Sequence, residues 1–144
     1  MAKALMEKAL AENGVDFANM LTIDTAGLDA YPGDPASEGA IEAMRELGVD
    51  LKEHRAKRLD YELVMECDLI VTMGEGHKKR ILSLWPEAEE KVVTLAELAG
   101  QEAEDVKDPF GRDLEVYRQC RDELEARIKE ALSKGRFNGY LNTG

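Results

Sequence analysis

Apolar residues recur at helical spacing from the start of the chain. Ala2, Leu5, Met6, Ala9 and Leu10 share one face, which predicts a helix from Ala2 to Glu12 closed near Asn13-Gly14. The next segment, MLTIDTAG, sets Leu21 and Ile23 against Thr22 and Asp24, the two-residue period of a strand near Leu21 to Asp24. Pro32, Gly33 and Pro35 make LDAYPGDP a loop. Helical spacing returns through Ile41, Met44 and Leu47 and closes at Gly48. YELVMEC is a shorter helix that feeds DLIVTM, a strand from Asp68 to Met73 whose apolar run lacks alternation, as in a strand covered on both faces. A helix through HKKRILSLW is stopped by Pro86, and a third strand spans Lys91 to Leu95. DLEVYRQCRDELEARIKEAL is a long closing helix whose inward stripe is Tyr117, Cys120, Leu124, Ile128 and Leu132.

Strands that alternate with helices imply an α/β fold, here a three-layer parallel sheet with helices on both faces, as a single domain over residues 1–144. Right-handed crossovers gather the strand-to-helix loops on one edge, where Thr25 to Asp34, Met73 to His77 and Leu95 to Asp113 would meet a ligand. The opening helix has no strand ahead of it and no Ser, Thr, Asp or Asn to cap its first amides. The expectation is a missing first strand, with the sheet rearranged, or completed by the tail RFNGYLN or by a partner chain in a swapped homodimer.

Composition narrows the partners. With 44% hydrophobic residues the chain can build a core, and 30 acidic against 19 basic residues leave a net charge of -11. That charge repels phosphate backbones and anionic lipid, which argues against nucleic acid and membrane as partners. No apolar run approaches the roughly 18 residues of a membrane span. Cys67 and Cys120 lie far apart without metal-ligand spacing, so neither a zinc site nor a disulfide framework is indicated and a cytoplasmic setting is expected. Lys52, His54, Arg55, Lys57 and Arg58 form a basic patch, either an anion-steering surface or a solvated face. His77 falls in the first turn of a helix and needs no chemical role.

The chemistry concentrates in DVKDPFGRDLEVYRQCRDELE. Asp108-Pro109-Phe110-Gly111 is a stiff turn that either simply precedes the helix or holds a carboxylate where it can act as a general acid. This segment, with DTAGLDAYPGDPASEGAIEAMRELGVDLKEHRAKRL and ECDLIVTMGEGHKKRIL, resembles the low-molecular-weight protein tyrosine phosphatases, in particular the bacterial branch that includes protein arginine phosphatases. The likeness runs in order from Met1 to about Lys134.

The resemblance implies hydrolysis of a phosphorylated protein or small phosphate ester through a phosphocysteine, without metal or cofactor. It implies Asp108 as general acid, and Tyr31 and Phe110 as walls of the substrate pocket. From the residues alone, Tyr31 is equally a loop aromatic packed on its own turn. Members of that family carry a nucleophile loop C-x-x-x-x-x-R-S-P just ahead of the segment that MAKALMEKAL matches. Six residues after Cys67 stands Met73, and six after Cys120 stands Ala126, so neither cysteine fits that pattern. No cysteine lies between His77 and Gly111, which disfavours the thiol relay of arsenate reductases. The expectation is a phosphatase scaffold inactive as given, with a pseudophosphatase that binds without chemistry as the alternative.

Overall fold

The computed structural model describes residues 1–12, 23–28, 31–100 and 105–134. Among these described residues the elements follow in the order α1 (Ala2–Glu12), α2 (Glu38–Arg45), α3 (Tyr61–Glu66), β1 (Ile70–Thr72), α4 (Glu75–Leu84), a 3₁₀ turn (Pro86–Lys91), β2 (Val92–Thr94), α5 (Leu95–Ala99) and α6 (Leu114–Ser133). Two compact units result, Met1–Leu59 with Asp108–Glu125 and Asp60–Lys107 with Ala126–Gly144.

In the first unit α2 starts at Ser37, whose Oγ accepts the Ala40 amide at 3.4 Å, and α6 starts at Asp113, whose Oδ1 accepts the Val116 amide at 3.1 Å. Leu5, Ala9 and Leu10 of α1, Ala43 and Met44 of α2, and Tyr117, Cys120 and Leu124 of α6 are buried. Each large side chain among them stabilises the unit by roughly 1.5–3 kcal/mol. Gly39 of α2 lies against α6, where a β-carbon would stand 2.3 Å from the Tyr117 ring. About two turns further on, Glu46 accepts from Arg118 Nη2 at 2.7 Å and from Arg121 Nη1 at 2.6 Å, and Arg121 Nη1 also donates to the Ala43 carbonyl at 2.8 Å.

In the second unit β1 and β2 pair in parallel with Ile70 opposite Val92 and Thr72 opposite Thr94, and α4 lies in the crossover between them. All of β2 is buried, whereas Ile70 and Val71 are half-buried. Asp60 Oδ1 caps α3 through the Leu63 amide at 2.9 Å. Lys91 Nζ closes the other end of α3 on the Met65 and Cys67 carbonyls at 3.3 and 2.9 Å, where a cation meets the negative end of the helix dipole. The N-cap of α4 is Gly74, which has no side chain to offer; Asp105 Oδ1 takes the Glu75 amide instead, at 2.9 Å.

Three expectations change. Of the strand near Leu21 to Asp24, Leu21 and Thr22 lie outside the described residues; Ile23 and Asp24 are not in a strand, and the local pairing is a single parallel bridge from Gly27 to Arg58. The other two strands are shorter than expected, Ile70–Thr72 and Val92–Thr94, and the ends of the second serve helices: Lys91 belongs to the 3₁₀ turn, and Thr94 Oγ1 accepts the Glu97 amide at 3.1 Å to start α5, a helix the hydrophobic pattern leaves unassigned. On α6 the inward stripe ends on buried Ala131, while Leu132 is half-buried, so the face shifts by one residue. The described sheet has two strands, and the tail RFNGYLN lies outside the described residues.

Two outcomes test this packing. Gly39→Ala gains less than about 1 kcal/mol of helix propensity but forces a methyl into a buried ring, an overpacking cost of about 1–3 kcal/mol. A net loss in urea midpoint is expected; an unchanged or raised midpoint would refute the close approach. Hydrogen bonds from Arg118 and then Arg121 hold the Glu46 carboxyl at about 2, below its ordinary 4.5. A carboxyl depressed on folding adds stability above its unfolded value and loses it as pH falls toward the folded one. Thermal melts should therefore show Glu46→Gln less stable at pH 7, with the difference closing between pH 4.5 and 2.

Candidate functional site

The Asp108 turn is built from its own sequence. Asp108 Oδ1 accepts the Phe110 amide at 3.0 Å, and the Pro109 carbonyl accepts the Arg112 amide at 2.9 Å. Such an aspartate-led turn needs a residue with positive φ to close it, and Gly111 supplies φ +77°. Pro109 is buried and anchors the turn, which leaves the Asp108 carboxylate exposed and Phe110 77% exposed. Asp113 then starts α6 directly. Acid and aromatic ring are thus presented to solvent by one rigid element.

Tyr31 stands on a second loop of the same unit. Its carbonyl accepts the Asp34 amide at 3.2 Å, and Gly33, at φ +89°, donates to the Ala56 carbonyl at 2.9 Å. The Ala56 amide returns a bond to the Asp34 carbonyl at 2.7 Å. The loop is therefore pinned by backbone while the Tyr31 side chain remains 76% exposed.

An open groove of about 520 Å³ lies in this unit, lined by Ser37, Glu38, Gly39 and Glu42 of the α2 region and by Phe110, Gly111, Arg112, Leu114 and Tyr117. Of the three expected site residues Phe110 lines it; Asp108 and Tyr31 do not. The structure joins Asp108 and Phe110 in one turn and sets Tyr31 on another loop.

Much of the basic patch serves the Tyr31 side of the unit. Arg55 Nη1 donates to the Lys52 and His54 carbonyls at 2.8 Å each, Lys57 pairs with Asp24, and Arg58 bridges Gly27. Burial, then the amino group of Met1, Lys3 and Arg55, push the His54 pKa down against the opposing pull of Asp24. Burial raises both thiols, Cys67 at the end of α3 and Cys120 on the inward face of α6, with Glu123 and Asp108 adding to the shift at Cys120. Both therefore sit in environments opposite to those that generate thiolates. Among the described residues no group of three or more His, Cys, Asp or Glu side chains is placed to hold a metal ion. None of their helices is long and apolar enough to cross a membrane.

Two residues of structural weight escaped the sequence reading. Asp113 carried a signal, an acid before an amphipathic run, and Asp105 carried none, since its partner lies 30 residues away.

Residues 1–136 match the family described as low molecular weight phosphotyrosine protein phosphatase. The chain is 35% identical over 134 residues to a protein-arginine-phosphatase of Geobacillus stearothermophilus, covering 93% of this chain and 85% of the relative. It is 34% identical over 130 residues to that of Bacillus subtilis, with 90% and 83% covered. Its fold superposes on a crystal structure of a YwlE mutant from Bacillus subtilis with a TM-score of 0.84 at 33% identity, covering 94% of this chain and 88% of the other. A low molecular weight protein tyrosine phosphatase from T. tengcongensis gives 0.83 at 36% identity, with 93% and 88% covered.

The turn itself can be tested. Gly111→Ala places a side chain at positive φ and should cost about 1 kcal/mol or more, whereas Gly111→Asn, which tolerates that region, should cost less. Equal melting temperatures for the two variants would contradict a left-handed residue here.

Proposed function

We propose, from the premise that the chain belongs to the low molecular weight phosphotyrosine protein phosphatase family, that it is the scaffold of a protein phosphatase acting on phosphoarginine or phosphotyrosine side chains. The observation that carries the reading is the Asp108 turn, which holds an exposed carboxylate beside an exposed aromatic ring. Asp108 gives its proton to the leaving nitrogen or oxygen as a cysteine thiolate takes the phosphoryl group. Asp108 then accepts a proton from the water that attacks the phosphocysteine and releases inorganic phosphate. Tyr31 and Phe110 wall the pocket that receives the phosphorylated side chain. The relatives named as arginine phosphatases support phosphoarginine as the first substrate to try.

The nucleophile of this reaction is not among the 144 residues. Neither Cys67 nor Cys120 has an arginine six positions on, and burial raises both thiols. The same observation favours a second reading, a pseudophosphatase acting as a binding or interaction protein. The three-layer sheet, completed by further strands from the tail or a second copy, and a cytoplasmic setting belong to the first reading.

Assayed with an aryl phosphate and with phosphoarginine, the 144-residue chain should give no turnover above background, and Cys67→Ser and Cys120→Ser should change nothing. Turnover lost in one of those variants would place the nucleophile there and overturn the proposal. With a C-x-x-x-x-x-R-S-P loop supplied ahead of Met1, Asp108→Ala should slow poor leaving groups by about 10²- to 10⁴-fold and good ones far less. Equal slowing of both would assign Asp108 to structure.

A further inference from the structure

We propose that the groove between the start of α2 and the turn after Asp108 receives an arginine side chain of the protein substrate, at a position other than the one that carries the phosphoryl group. The proposal rests on the reading of the chain as a protein phosphatase scaffold. Every residue that lines the groove belongs to the first unit. Its floor is apolar: Gly39 offers no side chain and lies against the buried Tyr117 ring, and half-buried Leu114 continues it. Glu38 and Glu42 stand four residues apart on α2 and so share one wall. Phe110 lines the groove from the turn, with an exposed ring and an amide bonded to Asp108 Oδ1. The groove therefore begins where the acid's turn ends, and Asp108 and Tyr31 are not among its lining residues.

Charge selects the occupant. Glu38 is exposed and, among the described residues, pairs with no cation, whereas Glu42 accepts from Arg45 Nη2 at 2.7 Å. Arg112 is the cation among the lining residues, so two carboxylates face one guanidinium and a single further cation is favoured. A guanidinium suits this lining better than an ammonium, because its planar face stacks on an aromatic ring while its N–H fork bonds a carboxylate. Its aliphatic stem would cover the floor formed by Gly39 and Tyr117. An acidic side chain would meet Glu38 and Glu42 and be repelled. The groove thus reads the sequence around the phosphorylated residue, and the acid's turn handles the phosphorylated residue itself.

The test is a titration of the isotopically labelled 144-residue chain with N-acetyl-arginine amide, read on the amide resonances of Gly39, Glu42, Phe110 and Gly111. These should move along one saturation curve while the Val64 amide of α3 stays still, and added salt should weaken the curve. N-acetyl-citrulline amide, which keeps the shape and lacks the charge, should bind about threefold more weakly or worse. Glu38→Gln should weaken arginine by about two- to fivefold, as for an exposed ion pair, and Glu38→Lys should abolish the response. Glu38 is exposed, so both variants should melt close to the parent. Equal response to citrulline and arginine, or an unchanged curve in Glu38→Gln, would overturn the proposal. So would tighter binding of N-acetyl-glutamate amide or N-acetyl-leucine amide, or movement of the same resonances on dilution of the protein alone, which would assign the face to a second copy. None of these readouts needs turnover. A failed titration beside an intact leaving-group effect at Asp108 strikes the groove alone, and arginine binding without that effect strikes the phosphatase reading.

Discussion

Parallel strands cannot be joined by a tight turn, and the pairing of Ile70–Thr72 with Val92–Thr94 sets the terms for everything around it. The chain must travel the length of the sheet between them, and it does so through α4 and the 3₁₀ turn. Both strands then deliver a helix at their carboxyl ends, α4 after β1 and α5 after β2. Each helix start presents amides that need acceptors. Thr94 answers locally for α5, and Asp105 answers from a distance for α4. A three-residue strand pair is little sheet, yet its polarity decides where these ends fall.

What the sequence made legible follows from how local the cause was. The bounds of α1 and the identities of α2, α3, α4 and α6 came from spacing and from the residues that close them, whereas the caps Ser37, Asp60 and Asp113 were seen only in the structure. Even the missed α5 was written in Thr94-Leu95-Ala96-Glu97, a capping threonine three residues before an acid; the apolar run of β2 masked it. Strand lengths were less legible, because whether Lys91 or Leu95 extends a strand depends on a competing helix end. The clasp of Glu46 by Arg118 and Arg121 spans more than 70 residues, and nothing in the local pattern announces it.

For the site, Asp108 and Phe110 were readable as one turn since proline and glycine fix its shape. The fate of the basic patch was not. Charge counts cannot distinguish a field-generating surface from side chains committed to carbonyls and carboxylates, and Arg55 and Lys57 are of the second kind. The cysteines were legible in the opposite sense. Cys120 was placed on the inward stripe of the last helix and is buried there, and burial pushes both thiols away from ionisation.

The bond from the Phe110 amide to Asp108 makes the two carboxyl oxygens unequal. An oxygen that already receives an N–H has its lone-pair density drawn off, which leaves Oδ2 as the oxygen not engaged by the turn. Any atom that collects a hydrogen from Oδ2 has to approach from that side. If Asp108 is the general acid proposed above, the turn sets a direction of proton delivery as well as a location, and a leaving group arriving on the Oδ1 side would meet an acceptor instead of a donor.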